Sequence, residues 1–408
     1  MLLVAATLLA SCSSTGIAEP PVVLRMVRMH HRTDDQSVGY AKFKEIAEDI
    51  IANKRDVDTS ILPQITLVSK DNFVNEIAAQ TRSGFGPDIL ITDSETALEL
   101  YRKKLIDPVP LSEQDRDGTP AHLFDLVTAS DGTVVARPVN QFLQLACVNK
   151  ERLEKPPTKL EEMNLTSKDN TFGLALNLKD LFWTAEAFEA SMAMESAIEN
   201  KPISSEQKSR MVEWLRWIED ASYQQNIRFY RDQESLRNAL IEGDLDWITC
   251  WSTSLELFRK SMKDNLLVVP LPKGPSNTLK TTARLEVWSL GRNSSKTQRN
   301  KSITMIDFIT KPWAQKTYAL MSRNAMPANR QAATIVAEKI AGNTQTSLEY
   351  LLRSINPEAA GGQARARIFR HPDQYEIISD ALLETVYDVQ DPKQAADKIL
   401  NNLRERSR

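Results

Sequence analysis

Aromatic side chains recur in this chain at the ends of apolar runs, with carboxylates, amides and guanidinium groups beside them. Phe182 and Trp183 follow the run GLALN, Trp251 and Ser252 end the run DWITCWS, and Trp288 sits in ARLEVWSL. Asp180 stands beside the first pair and Arg284 and Glu286 beside the last, while Asn140 and Gln141 lie in the extended segment ARPVNQFLQLACVNK. Two polar stretches add His31, Arg32 and Asp34 after the first apolar run, and Asp93 and Glu95 after ILI at 89–91. Flat aromatic faces pack against the apolar faces of pyranose rings, and planar or charged groups bond hydroxyls as donor and acceptor together. This is the composition of a cleft for a hydroxyl-rich solute. Arginine also suits phosphate, so Arg32 and Arg284 leave glycerol phosphodiesters open as a second ligand class.

Other chemistries find less support. Glycoside hydrolysis uses two carboxylates at a set separation, and Asp180 with Glu286 form the available pair, but hydrogen-bonding carboxylates are equally expected in a binding cleft. The four histidines are His30, His31, His122 and His371, with no GxSxG elbow to accompany them in a triad. Adjacent His30 and His31 diverge on a strand, and Cys147 and Cys250 lack CxxC spacing, so no metal centre is expected. GxxxxGK[ST] is absent, and no nucleotide or other cofactor is expected. A binding protein, not an enzyme, is the expectation. Trp247 in mid-run, Trp214 and Trp217 on a helical pattern and Trp313 after a proline are assigned to packing or surface.

The elements that must hold these groups alternate. Val22–Val27 reads as a strand opening into the polar loop. Tyr40, Phe43, Ile46, Ala47, Ile50 and Ile51 mark one face of a helix over Val38–Asn53. A second strand spans Ile65–Val68 after a loop containing Pro63, and a helix carries Phe73, Val74, Ile77 and Ala78. Ile89–Ile91, closed off upstream by Gly84, Gly86 and Pro87, reads as a buried parallel strand. Thr92 and Glu95 form a capping-box pattern for the helix bearing Ala97, Leu98, Tyr101 and Leu105. The strand–helix alternation implies an α/β fold with parallel strands, and such sheets place ligands where strands deliver polar turns to helix N-termini. Later in the chain, Gly173–Asn177 reads as a strand followed by a turn through Leu178–Trp183, and Met211, Trp214, Leu215, Ile218 and Ala221 form an amphipathic helix face.

Several of these motifs, taken in order, resemble the extracellular solute-binding proteins of ABC importers, in the branch typified by maltose-binding protein. Gly86-Pro87-Asp88-Ile89-Leu90-Ile91 with the later Leu105-Ile106-Asp107-Pro108 is similar to the first-lobe signature. Pro138 to Asn149-Lys150 resembles a crossing between lobes, Pro270-Leu271-Pro272 the connection back, and Thr281 to Leu290 the second crossing. The resemblance implies a two-lobe periplasmic-binding-protein fold, each lobe a mostly parallel sheet flanked by helices and joined by hinge crossings. It gives a first lobe of 22–138 plus 282–330 and a second of 139–281 plus 331–408. It also implies that Asp180 supplies a hydroxyl-binding carboxylate, that Phe182 and Trp251 stack on the solute, and that a permease receives a small sugar, polyol or glucoside-type compatible solute. A receptor presenting its ligand to a membrane kinase is the alternative within this scaffold.

Residues 2–10 (LLVAATLLA), whose end runs into the lipobox-like Leu9-Ala10-Ser11-Cys12, resemble a signal segment and lipobox, which implies a lipid-anchored, periplasm-facing protein with Cys12 as its first mature residue and 1–21 as signal and leader. With 408 residues, two lobes are expected rather than one core. A formal net charge of −3 with both signs mixed gives no footprint for nucleic acid, and no span reaches the ~20 apolar residues of a membrane helix. A monomer is expected. Cys147 and Cys250 remain open between a disulfide and two buried thiols.

Overall fold

The computed structural model describes residues 20–30, 45, 49, 52–53, 58–165, 170–277, 282–340, 368 and 372–406. Short apolar runs form the strands: β1 (Val22–His30), β2 (Ile61–Ser69), β3 (Ile89–Asp93), β4 (Ile106–Asp107), β5 (Arg137–Asn149), β6 (Phe172–Ala175), β7 (Ile227–Tyr230), β8 (Trp247–Trp251), β9 (Leu266–Val269), β10 (Ala283–Gly291) and β11 (Met326–Pro327). Their order is β2-β1-β3-β10-β5-β8-β6-β7, with β4 pairing on β10 and β9 and β11 on β5. β1 runs parallel to β2 and β3, and β6 parallel to β7 and β8. Between these two parallel ends, β10 is antiparallel to β3 and β5, and β5 antiparallel to β8.

The extended run expected to cross the molecule is the 13-residue β5, and it changes partner along its length. Arg137–Leu143 pair with β10, and Gln144–Val148 pair with β8. Each parallel end has its own core. At one, β3 is buried at all five positions because helices cover both faces of the sheet, Phe73, Ile77 and Leu98 on one side and Ile306 and Tyr318 on the other. At the other, Phe172, Trp183, Trp214 and Ile218 pack with Ile378 and Ile399 from the helices Pro372–Val386 and Pro392–Glu405. The C-terminal helices therefore complete the second core.

Some local expectations are corrected. Pro63 lies inside β2, which spans nine residues, not four. Proline is tolerated there because β2 is the last strand of the sheet and pairs only with β1. The helix Ser94–Arg102 is capped by Asp93, whose side chain accepts a hydrogen bond from the Thr96 amide at 2.7 Å, and not by Thr92. Leu178–Trp183 is not a turn but the start of the helix Leu178–Ala187, capped by Asn177. Cys147 and Cys250 are joined as a disulfide with a Cα–Cα distance of 5.8 Å, linking β5 to β8. The helix expected over Val38–Asn53 falls largely outside the described residues, and Cys12 falls outside them altogether.

Candidate functional site

A parallel strand that feeds a helix leaves polar backbone and short polar side chains at its C-terminal end. Here several such ends converge on one cleft of ≈ 530 Å³, within the roughly 300–1,000 Å³ of small-molecule sites. The N-termini of the helices Ser94–Arg102, Leu178–Ala187 and Gln233–Glu242 all contribute to its lining, through Asp93, Asn177 and Asp232, their N-caps. Partial positive charge at each of these ends favours oxygen atoms of a ligand.

One wall comes from β1, β3 and the helices that follow. Arg28 donates to Glu286 at 2.8 Å, and the second oxygen of Glu286 accepts from Asn140 at 2.9 Å. Lys70 reaches Asp93 at 2.7 Å while the other oxygen of Asp93 caps the helix. The opposite wall carries Asp180, whose Oδ1 accepts from Trp251 Nε1 at 2.7 Å and from Arg284 Nη2 at 3.0 Å. The guanidinium carbon of Arg284 lies 3.9 Å from the centre of the Trp251 ring. Gln144 on β5 donates to the Asp180 carbonyl at 2.6 Å, which fixes the start of that helix against the crossing strand. Tyr375 completes this wall, its hydroxyl donating to Asn177 Oδ1 at 3.0 Å and its ring 5.7 Å from the Lys179 ammonium. Burial holds the Tyr375 phenol above its usual range; Asp180 and Glu95 add to this, while a bond to Ser379 and the charge of Arg284 oppose it.

β10 serves both walls because side chains two apart on a strand share a face. Arg284 turns to Asp180 and Trp251, and Glu286 turns to Arg28 and Asn140.

Of the residues singled out in the sequence, Asp93, Glu95, Asp180, Trp251, Arg284 and Glu286 line this cleft. Others do not reach it. Phe182 and Trp183 are fully buried in the second core. At about 100° per residue, Phe182 lies roughly 200° around the helix from Asp180, and Trp183 sits one turn beyond Lys179. Trp288 is buried against Leu24, Met26 and Ile91. Asn140 supports the site from beneath through Glu286. Gln141 donates to the Pro327 carbonyl, and the Ser252 hydroxyl joins the Leu143 amide to the Asn324 carbonyl, so both hold the crossing segments together. His31, Arg32 and Asp34 lie outside the described residues. Trp214 and Trp247 are buried, and Trp313 is 43% exposed, as packing or surface roles require.

Residues not singled out also line the cleft, among them Arg28, Lys70, Phe142, Lys179 and Tyr375. Tyr375 had a signal: Pro372 opens its helix, so Tyr375 belongs to a first turn like the other cleft residues. Among the described residues no group of His, Cys, Asp or Glu side chains is placed to hold a metal ion.

A family model of the bacterial extracellular solute-binding proteins matches residues 63–345. No curated protein sequence matches. Solved structures share the fold. The maltodextrin-binding protein MalE1 from L. casei BL23 superposes with a TM-score of 0.70 at 14% identity, over 94% of this chain and 99% of its own. The GacH receptor of Streptomyces glaucescens gives 0.69 at 13% identity, over 94% and 98%. MalX from Streptococcus pneumoniae gives 0.67 at 16% identity, over 93% and 99%. The α/β architecture with a parallel sheet at either end of a crossing pair is thus that of two-lobe periplasmic-binding proteins. With more than half of its length matched by the family model, the chain belongs to the bacterial extracellular solute-binding proteins.

Proposed function

We propose that this chain captures a small carbohydrate or glucoside-type compatible solute in the cleft and delivers it to the membrane subunits of an ABC importer. The observation that carries this reading is the internal pairing of cleft charges: Arg28 with Glu286, Lys70 with Asp93, and Arg284 with Asp180. These three cations already have carboxylate partners and ask for no charge from a solute, yet the same groups retain donors and lone pairs for hydroxyls. Phe142 and Tyr375 add apolar and amphipathic surface to the lining. A structure of similar fold holds α-D-tagatose, a monosaccharide, which fits this ligand class.

The two ends of the sheet act as lobes, divided along β5 and β10, and a solute touching both walls stabilises the closed form by its differential affinity. Asp93, Glu95, Asp180, Arg284 and Glu286 bond its hydroxyls, and it is released unaltered. Cys12 carries a lipid that tethers the monomeric protein to the envelope membrane on its outer side. Among the described residues no helix is long and apolar enough to cross a membrane.

The test is a thermal-shift screen across neutral sugars, polyols and glycerol phosphodiesters, since a solute that binds only the native state raises its apparent stability. A neutral saccharide or polyol is expected to give the largest shift. Stabilisation by phosphodiesters alone would replace the carbohydrate reading. For the anchor, Cys12→Ser is expected to move the protein from the membrane fraction to the soluble fraction; unchanged fractionation would refute lipidation.

A further inference from the structure

We infer that Arg284 sets the size class of the solute: by lying on the indole of Trp251 it removes that ring as a sugar platform, so the cleft takes a mono- or disaccharide and refuses longer chains. This rests on the carbohydrate reading of the cleft. At 3.9 Å from ring centre to guanidinium carbon the two groups are in van der Waals contact, leaving no room for a pyranose between them. The indole edge is taken as well, because Trp251 Nε1 donates to Asp180 Oδ1 at 2.7 Å. Trp251 is accordingly only 3% exposed although it borders the cleft.

Arg284 is held there from two sides. Its Nη2 bonds the same Asp180 oxygen at 3.0 Å, and its backbone belongs to β10, paired with Phe142 on β5. Displacing it would break the stack and the ion pair together and leave Asp180, 5% exposed, without its cation. The other aromatic side chains in the described lining are Phe142, only 9% exposed, and Tyr375, whose ring has the Lys179 ammonium 5.7 Å from its centre, so no row of open platforms replaces the covered indole. A long saccharide needs a row of flat platforms, whereas a short one is read through hydroxyls, and the planar fork of Arg284 is suited to bond two neighbouring hydroxyls.

The experiment is calorimetric titration of glucose-, mannose- and galactose-based saccharides, from one to five units, into the full chain, Arg284→Ala, and Arg284→Ala/Asp180→Asn. The double variant guards against misfolding, since the side-chain amide carbonyl that replaces the Asp180 carboxylate still accepts from the Trp251 N–H while no carboxylate is left unpaired. The expected result is that both variants gain about tenfold in affinity for chains of three to five units relative to the monosaccharide, compared with the unaltered protein. An unchanged length preference overturns the inference, as do variants that bind no chain of three or more units. The response of the unaltered protein to any saccharide at all separately judges the carbohydrate reading.

Discussion

The two walls of the cleft solve different problems with similar residues. On the wall built from β1 and β3, side chains are committed to holding backbone in place: Asp93 caps a helix and binds Lys70, and Glu286 ties β10 to β1 and β5. On the wall built from β8 and the helices Leu178–Ala187 and Pro372–Val386, the polar groups instead surround rings, with Asp180 and Arg284 on Trp251 and Asn177 and Lys179 on Tyr375. The first wall ties strands and a helix N-terminus together, and the second encloses its aromatic rings in polar contacts. A disulfide reinforces the strand behind the second wall, where β8 meets β5.

The largest effect that would break this contrast concerns the disulfide. Cys147 and Cys250 are separated by 103 residues, so their bond restrains a long loop in the unfolded chain. Replacing both by alanine is expected to cost about 3–5 kcal/mol of stability in chemical denaturation. A loss well under about 1 kcal/mol would show that the second wall needs no covalent support from behind.

A smaller loss is expected from Glu286→Ala. Arg28 and the fully buried Asn140 each lose this acceptor, and an amide N–H left without its acceptor in the interior costs about 1–3 kcal/mol. Glu286→Gln keeps one acceptor oxygen and sets an NH2 against the other donor, so it should recover only part of that loss. If the alanine and glutamine variants unfold at the same denaturant concentration, the bonds are not what stabilises the first wall.

How far the two walls were legible in the sequence differs for the same reason. Asp93 and Glu95 could be placed because they follow a short apolar strand directly, and the helix that Asp93 caps begins at the next residue. The parallel strands of this end were readable as the apolar runs at Val22–Val27, Ile65–Val68 and Ile89–Ile91, whereas their order in the sheet, with β10 inserted beside β3, depends on distant chain. Pro63 misled because its tolerance depends on β2 being an edge, a property of the whole sheet. On the second wall the determinants are non-local. Phe182 faces the core because Asn177 starts a helix one residue later, which sets the phase of every side chain after it. The cover over Trp251 comes from Arg284 on another strand, and Tyr375 arrives from a C-terminal helix docked on the core made by 172–221. Residue types alone suggested stacking at Trp251 but contained nothing about what already lies on it.

The smallest effect sharpens the comparison at Tyr375, whose phenol has its proton-bound form favoured, chiefly by burial. In the unfolded chain a tyrosine ionises near about pH 10. As pH rises through that value the unfolded state loses its proton first, while the folded state keeps it. The contribution is therefore fully present below about pH 10 and lost as pH climbs through the higher folded value. Tyr375→Phe removes the ionisable group, so the variant should lose stability less steeply than the unaltered protein between about pH 9 and 11, as measured by urea denaturation across that range. Identical slopes would mean that Tyr375 titrates as an exposed phenol and that this wall is open to water at the point where it meets Asn177. A shallower slope in the variant would show a ring shielded from water before any solute arrives, with a neutral hydroxyl ready to bond it.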